Sequence, residues 1–252
     1  MIDTHSHINF KDFSEDQADV IQRAYDAGVS LFINVGTDMK TSLESIALAE
    51  SNSDIYATVG LHPHDASDFT DDLFQQFKDL TKNPKVVAIG EVGLDYFRNL
   101  SSKEEQLHCF EQFARLAKEV DLPLVIHCRE AYEDVFSVLK KVDNTHRGIM
   151  HCFSGTKEDM QQALDLGLHI SFAGPVTYKK NTELRECAAS VPEDRLLTET
   201  DCPFLPPEPL RGKRNEPAWM LYTVKKIAEV RNAEIDKLKE LILNNGKSLF
   251  QI

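Results

Sequence analysis

The chain has 252 residues, 42% hydrophobic and 27% charged, proportions that are ordinary for a globular protein. Its formal net charge of −13 argues against capture of long nucleic acids, whose affinity comes mostly from neutralised phosphates. A phosphate held by metal ions and a local basic patch stays compatible with that charge. We find no secretory signal and no run near the roughly 18 apolar residues of a membrane span. We therefore expect a cytoplasmic protein with no membrane contact and no stable protein partner.

Eight short apolar runs alternate with amphipathic segments along the chain. The runs are residues 1–8, 31–35, 55–61, 86–92, 123–128, 148–153, 168–172 and 195–201. Such alternation predicts right-handed β-α-β units and a parallel sheet. Eight units in a chain of this length favour a closed (β/α)8, or TIM, barrel that forms a single domain over residues 1–252. An open doubly wound sheet would need a glycine-rich phosphate loop after the first strand, where this chain has histidines.

The clearest helix follows the fourth predicted strand. Ser101 with Glu104, or Ser102 with Glu105, fits a capping box at its start. Residues 233–244 form a further amphipathic segment after the eight units. The sequence therefore predicts one extra C-terminal helix.

Histidines and carboxylates mark the ends of the predicted strands. They are Asp3, His5, His7, His62, His64, Glu91, His127, His151, Glu199 and Asp201. The active site of an α/β barrel lies at the carboxyl ends of its strands, so these side chains should meet at one mouth. Burying them together is costly unless divalent cations balance the charge. A centre of four histidines with two or three carboxylates suits Zn, Mn or a similar ion.

The other histidines carry weaker signals. His62 and His64 fit substrate contact and loop packing equally well. We expect His108 and His146 on exposed helix or loop. His169 opens the seventh strand, at the end of the barrel away from the predicted site, and is assigned no function.

Seven motifs match one known family, in order and across nearly the whole chain. They are Asp-Thr-His-Ser-His at 3–7, Gly-Leu-His-Pro-His at 60–64, Gly-Glu-Val-Gly-Leu-Asp at 90–95, Ile-His-Cys-Arg at 126–129, His-Cys-Phe-Ser-Gly at 151–155, Thr-Glu-Thr-Asp-Cys-Pro at 198–203 and Arg-Gly-Lys-Arg-Asn-Glu-Pro at 211–217. The chain thus resembles the TatD family of metal-dependent deoxyribonucleases, within the amidohydrolase-like barrels. Glu91 at the end of the fourth strand disfavours the carboxylated-lysine centre of other amidohydrolases.

The resemblance implies a centre of two divalent ions, with Mg, Mn, Zn, Co or Ni as possible metals. It assigns one ion to His5, His7 and Asp201, the other to His127 and His151, and Glu91 to both. Glu91 and Asp201 are then the predicted catalytic residues, with Asp201 orienting or deprotonating a metal-bound water that attacks as hydroxide. Asp3 and Glu199 are predicted to fix the orientation of the ligands.

Basic residues near the strand ends are candidate substrate contacts. The long, proline-rich loop at 203–217 carries Arg211, Lys213 and Arg214, and Arg129 follows His127. Barrel phosphate sites often use the loops after strands 7 and 8, and arginine forks match phosphate oxygens. A solvated loop is the alternative for this cluster.

Three functions compete on this evidence. The first is hydrolysis of nucleic-acid phosphodiesters, which the resemblance narrows to an exonuclease-type deoxyribonuclease acting on nucleic-acid ends or nucleotides. The second is hydrolysis of a small amide, lactone or phosphoester, because a fold does not fix its substrate. The third is a non-catalytic metal-binding or protein-interaction module, which the complete predicted ligand set disfavours.

Overall fold

The computed structural model describes residues 1–252 and contains eight strands, close to the predicted positions. The strands are β1 (Ile2–Ser6), β2 (Leu31–Val35), β3 (Ile55–Val59), β4 (Val86–Asp95), β5 (Leu124–Arg129), β6 (Gly148–Met150), β7 (His169–Phe172) and β8 (Leu196–Thr198). All pair in parallel, in the order β1 to β8. The predicted alternation of strands and helices is confirmed.

The sheet closes through the residues just beyond β8. Ser6 bridges to Cys202, the Asp201 N–H donates to the His5 carbonyl at 2.9 Å, and the His7 N–H donates to the Cys202 carbonyl at 2.9 Å. These bonds satisfy backbone groups that an open edge would leave unpaired. The predicted (β/α)8 barrel is therefore confirmed, and its closing seam places Asp201 beside the histidines of β1.

Nine α-helices surround or extend the barrel. They are α1 (Gln17–Asp26), α2 (Met39–Ser51), α3 (Asp71–Leu80), α4 (Lys103–Glu119), α5 (Tyr132–Val142), α6 (Lys157–Asp165), α7 (Thr182–Ser190), α8 (Met220–Arg231) and α9 (Ile235–Phe250). At the start of α4 the structure selects the capping box of Ser102 with Glu105. The predicted extra helix is α9, which runs longer than the expected 233–244.

Two departures from the predicted strands matter for the site. β4 is ten residues long and reaches Asp95, whereas β6 and β8 end before His151 and Asp201. Pairing in β4 shifts between Ile89 and Val92, and the Glu91 N–H donates instead to the Gly36 carbonyl at 2.8 Å. Glu91 thus occupies an irregularity within a long strand, a common device for re-aiming a side chain beside a site.

The buried apolar side chains form one contiguous cluster that runs from Met1 to Phe250 and joins the barrel interior to the helix layer. No helix combines the length and apolar character needed to cross a membrane.

His146 corrects one expectation, because it is buried rather than exposed. Its Nε2 atom lies 2.8 Å from the Leu139 carbonyl and 2.9 Å from the Asp143 carbonyl, so the ring satisfies the last carbonyls of α5.

Gly93 is a point where β4 and β5 require a residue without Cβ. It pairs with His127, and a Cβ placed on it would overlap the carbonyl oxygen of His127. Its φ is +143°, in a region that residues with side chains rarely adopt. The position of His127 therefore depends on a glycine at this site.

We expect Gly93→Ala to lower the free energy of unfolding by about 3 kcal/mol or more, since backbone strain and overpacking each cost about 1–3 kcal/mol. Gly212→Ala is the matched control, because Gly212 has a φ of +85° but no atom within 4 Å of an added Cβ. That control should lose only about 1–2 kcal/mol. Urea denaturation measures both variants, and equal losses would contradict the close-approach account.

Candidate metal centre at the barrel mouth

The first group of donors gathers around the histidines of β1. The Nε2 atoms of His5 and His7 lie 3.1 Å apart, and both lie 3.6–3.7 Å from Asp201 Oδ1. Glu91 Oε2 is 3.3 Å from His5 Nε2 and 3.8 Å from His7 Nε2. Tetrahedral zinc ligands at about 2.0–2.1 Å stand about 3.4 Å from one another. The spacing of these donors therefore fits a shared cation, and His5, His7 and Asp201 are grouped as a possible metal site.

The second group gathers around the other oxygen of the same carboxylate. Glu91 Oε1 lies 2.8 Å from His127 Nδ1, 3.0 Å from His151 Nε2 and 3.5 Å from His62 Nε2. Glu91 and most of these imidazole nitrogens are buried at the mouth. The two carboxylate oxygens of Glu91 thus face two different sets of histidines.

Three of the histidines are held by acceptors outside the cluster, through the ring nitrogen that faces away from Glu91. The acceptors are the Val35 carbonyl for His7 at 3.0 Å, Glu199 for His151 at 3.0 Å and Asp95 for His127 at 3.1 Å. Such bonds fix the tautomer and leave an unprotonated nitrogen toward the centre, the arrangement typical of metal-binding histidines. Glu199 therefore lies where it was predicted to orient a ligand.

In His62 the ring nitrogen that carries the proton faces Glu91, in contrast to the other three histidines. Its Nδ1 atom accepts the His64 N–H at 3.2 Å, so a neutral His62 carries its proton on Nε2, the atom nearest Glu91. Burial lowers the pKa of His62 to about 4, so the ring is neutral near pH 7. The donor spacing alone groups His62 with Glu91 and His127 as a possible metal site, but a proton on Nε2 favours a hydrogen-bond donor.

Asp95 is a site residue that the sequence interpretation missed. Its Oδ2 atom lies 3.0 Å from His64 Nε2 and 3.1 Å from His127 Nε2, and its Oδ1 atom accepts the Arg98 N–H. Although Asp95 is buried, these bonds lower its pKa. The available signal was its place four residues after Glu91, at the end of the same motif. The contact also shows that His64 reaches the site through Asp95.

The imidazoles of the cluster keep its two carboxylates ionised. Burial would raise the pKa values of Glu91 and Asp201, but the surrounding imidazoles outweigh it and lower both. Burial would likewise lower the pKa of His151, but Glu91 and Glu199 raise it well above the ordinary value. Ionised carboxylates packed with imidazoles at this depth fit divalent cations.

Asp3 lies below this cluster, and its pKa is raised, whereas those of Glu91 and Asp201 are lowered. It is fully buried and accepts hydrogen bonds from the Thr200 hydroxyl at 2.6 Å and from the Thr200 N–H at 3.0 Å. Burial raises its pKa to about 7 despite those bonds. Asp3 contacts the backbone of His5 at 3.3 Å and therefore supports the ligand segments from below.

Arg214 is paired with an acidic residue of the chain, and its predicted contact with a substrate phosphate stays a prediction. Its two terminal nitrogens donate to both oxygens of Asp16 at 2.8 and 2.7 Å, and its guanidinium lies 4.6 Å from the Phe13 ring. Arg23 pairs with Glu216 at 2.7 Å beside it. These pairs fasten the loop at 203–217 to the segment after β1.

Arg129 and Arg211 are exposed, in contrast to Arg214. The Arg129 guanidinium lies 3.8 Å from the Phe97 ring centre, and the Arg211 guanidinium lies 4.3 Å from the Tyr178 ring centre. Neither arginine forms a salt bridge within the chain, and Lys213 is exposed as well. Their predicted contact with substrate phosphate stays a prediction.

A closed α/β barrel with this histidine–carboxylate cluster at its mouth has the architecture of a metal-dependent hydrolase. A model of the family described as TatD related DNase matches residues 2–251. The chain belongs to the TatD family of metal-dependent hydrolases.

Similar proteins cover the chain from end to end. An uncharacterized metal-dependent hydrolase of Bacillus subtilis, YabD, is 42% identical over 253 residues, covering 100% of this chain and 99% of that protein. The 3'-5' ssDNA/RNA exonuclease TatD of Shigella flexneri is 37% identical over 258 residues, covering 100% and 99%. The crystal structure of YJJV, a TatD homolog from Escherichia coli, superposes with a TM-score of 0.94 at 32% identity, covering 100% and 98%.

The Asp16–Arg214 pair predicts a pH-dependent stability. The hydrogen bonds from Arg214 lower the folded pKa of Asp16 from 3.8 to about 2. Because the folded pKa is depressed, the contribution is complete above about pH 4 and is lost as the pH falls toward 2. We expect Asp16→Asn to lower the free energy of unfolding by up to about 1 kcal/mol at pH 7, since the pair is partly exposed.

Urea unfolding at pH 7, 5, 4 and 3 measures this effect. The difference between wild type and Asp16→Asn should be constant from pH 7 to 5 and should shrink between pH 4 and 3. Asp12→Asn is the matched control in the same loop, because the Asp12 side chain forms no ion pair. A difference that stays unchanged down to pH 3 would contradict the assigned pair.

Proposed function

We propose that this hydrolase is an exonuclease that cleaves nucleotides from single-stranded nucleic-acid ends with two divalent ions. The observation that carries the proposal is the placement of the Glu91 oxygens, each facing its own set of histidines. In the proposal His5, His7 and Asp201 hold one ion, His127 and His151 the other, and Glu91 contacts both. The exonuclease named in Shigella flexneri, at 37% identity over its full length, supports the nucleic-acid substrate.

Divalent ions at such a centre supply positive charge to the attacking and leaving oxygens of a phosphodiester. The residues of the chain set the geometry around that charge. Asp201 is the more exposed carboxylate, 12% against 5% for Glu91, so it faces the side from which water arrives. Its lowered pKa keeps it ionised and able to accept a hydrogen bond from the attacking water.

His62 and the outer carboxylates complete the site in this proposal. His62 directs an Nε2–H toward the region of Glu91 Oε1, where it would donate to a phosphate oxygen. Asp95 and Glu199 hold His127 and His151 in place. His64 packs on Asp95, so its contribution would be to keep that carboxylate oriented.

The charge distribution favours a strand end over a long tract. With a net charge of −13, most of the surface repels a polyanion. Arg129, the last residue of β5, and Arg211, in the loop after β8, are exposed cations, and Lys213 lies in the same loop as Arg211. In this proposal these three cations supply local positive charge to a substrate at the centre. The full chain, residues 1–252, would act as one catalytic unit without a protein partner.

Hydrolysis of a small amide, lactone or phosphoester is the alternative substrate class. A family exonuclease with full coverage of the chain favours nucleic acid over these compounds. An assay of single-stranded DNA and RNA beside a panel of small esters and amides, each with Mg, Mn, Zn, Co and Ni, decides between the two classes.

We expect Glu91→Gln to lower kcat/KM on linear single-stranded DNA by at least about 100-fold, because outer partners of metal ligands alone are worth about 10–100-fold. Glu240→Gln on α9 is the control for removing an exposed carboxylate. Wild-type rates in Glu91→Gln would overturn the shared carboxylate.

Wild type should cut circular single-stranded DNA much more slowly than linear DNA of the same sequence. Rapid cutting of circles would overturn end recognition.

A further inference from the structure

Two half-exposed phenylalanines stand beside the candidate centre without a partner in the core. Phe97 is 53% exposed and lies two residues after Asp95. Phe204 is 51% exposed and lies three residues after Asp201. Large apolar side chains left in water beside a site commonly mark a binding surface.

The Phe97 ring contacts the guanidinium of Arg129. The Arg129 guanidinium lies 3.8 Å from the centre of the Phe97 ring. In the sheet, the backbone of Arg129 on β5 is the ladder partner of Asp95 on β4. One face of the ring is thus covered by a cation, and the ring is still half exposed. A nucleobase stacks well on an aromatic ring or a guanidinium plane, whatever its identity.

Phe204 belongs to a second aromatic group, on the side of the β1 histidines. Phe10 stacks on His7 with ring centres 4.4 Å apart and an interplanar angle of 20°. The Phe204 ring lies 6.1 Å from His7 and 6.3 Å from Phe10, edge to face in both cases. The Phe204 N–H donates to the Asp201 carbonyl at 2.9 Å, which ties the backbone of Phe204 to that of a predicted metal ligand.

The two groups lie on opposite sides of the mouth. Phe97 follows β4 and Arg129 ends β5, whereas Phe204 follows β8 and Phe10 follows β1. In a closed barrel with strands in the order β1 to β8, these positions are four strands apart and therefore face one another. The donors around Glu91 lie between them.

We propose that Phe97 with Arg129, and Phe204 with Phe10, are two base-stacking platforms that hold the nucleotides on either side of the scissile phosphodiester. This inference rests on the proposed nuclease function and assigns its selection of single strands to particular residues. Bases in a duplex already stack on one another, so only an unpaired end can place its bases on the two platforms. The phosphate between them is then held over the centre.

The test measures kcat/KM for wild type, Phe97→Ala and Phe204→Ala on a single-stranded oligonucleotide and on versions with an abasic residue at the terminal or the penultimate position. Loss of one stacked base should cost about tenfold or more. On the normal oligonucleotide, each variant should have a kcat/KM about tenfold or more below that of wild type. On the oligonucleotide that lacks the base held by the mutated platform, the difference in kcat/KM between variant and wild type should be much smaller. Leu100→Ala is the control, because Leu100 is 67% exposed in the same loop as Phe97 but carries no ring.

Equal losses on normal and abasic substrates would overturn the stacking platforms while leaving the nuclease function intact. The same holds if Leu100→Ala loses as much as Phe97→Ala. If wild type cleaves no nucleic acid, the proposed function fails, and the Kd of the fluorescently labelled oligonucleotide then decides the platforms separately. Weaker binding by Phe97→Ala and Phe204→Ala, with unchanged binding by Leu100→Ala, would support them, and unchanged Kd values in all three would overturn them.

Discussion

The carboxylate of Glu91, buried among imidazoles at the barrel mouth, is the constraint on which the rest of the site depends. A charged group at this depth is strongly unfavourable unless opposite charge lies beside it. His5 and His7 approach one of its oxygens, while His127 and His151 approach the other. Around them a shell of acceptors fixes which ring nitrogen faces inward. Donors on both sides of Glu91 therefore fit the binding of positive charge by this carboxylate.

The fold supplies this geometry through its irregular parts. The closing seam between β1 and the residues after β8 places Asp201 against His5. The shifted pairing in β4 aims Glu91 into the mouth, and the missing Cβ of Gly93 allows β5 to bring His127 close. The buried apolar side chains beneath these points form the continuous core that supports the site.

Periodicity and strand-end chemistry predicted the barrel, its extra helix and the residues that converge at the mouth, because both depend on local pattern and on where parallel strands end. The role of Asp95 in the site was not predicted. The fourth strand was expected to end at residue 92, so the pattern did not place Asp95 on that strand. The pairing of Arg214 with Asp16 could not be predicted either, because the two residues lie 198 positions apart in sequence. His146 was expected to be exposed, but its ring is buried against the nearby carbonyls of Leu139 and Asp143, a local contact that residue type does not reveal. Pairings over long sequence distances are set by tertiary packing, which residue type alone does not encode.

Anomalous scattering from crystals of the Mn-loaded protein tests the shared carboxylate most directly. We expect two manganese peaks about 3.5–4 Å apart, as in other two-metal sites. One peak should lie among His5, His7 and Asp201, the other should lie by His127 and His151, and both should contact Glu91. A single peak at full manganese loading, or two peaks that share no oxygen of Glu91, would contradict the shared carboxylate.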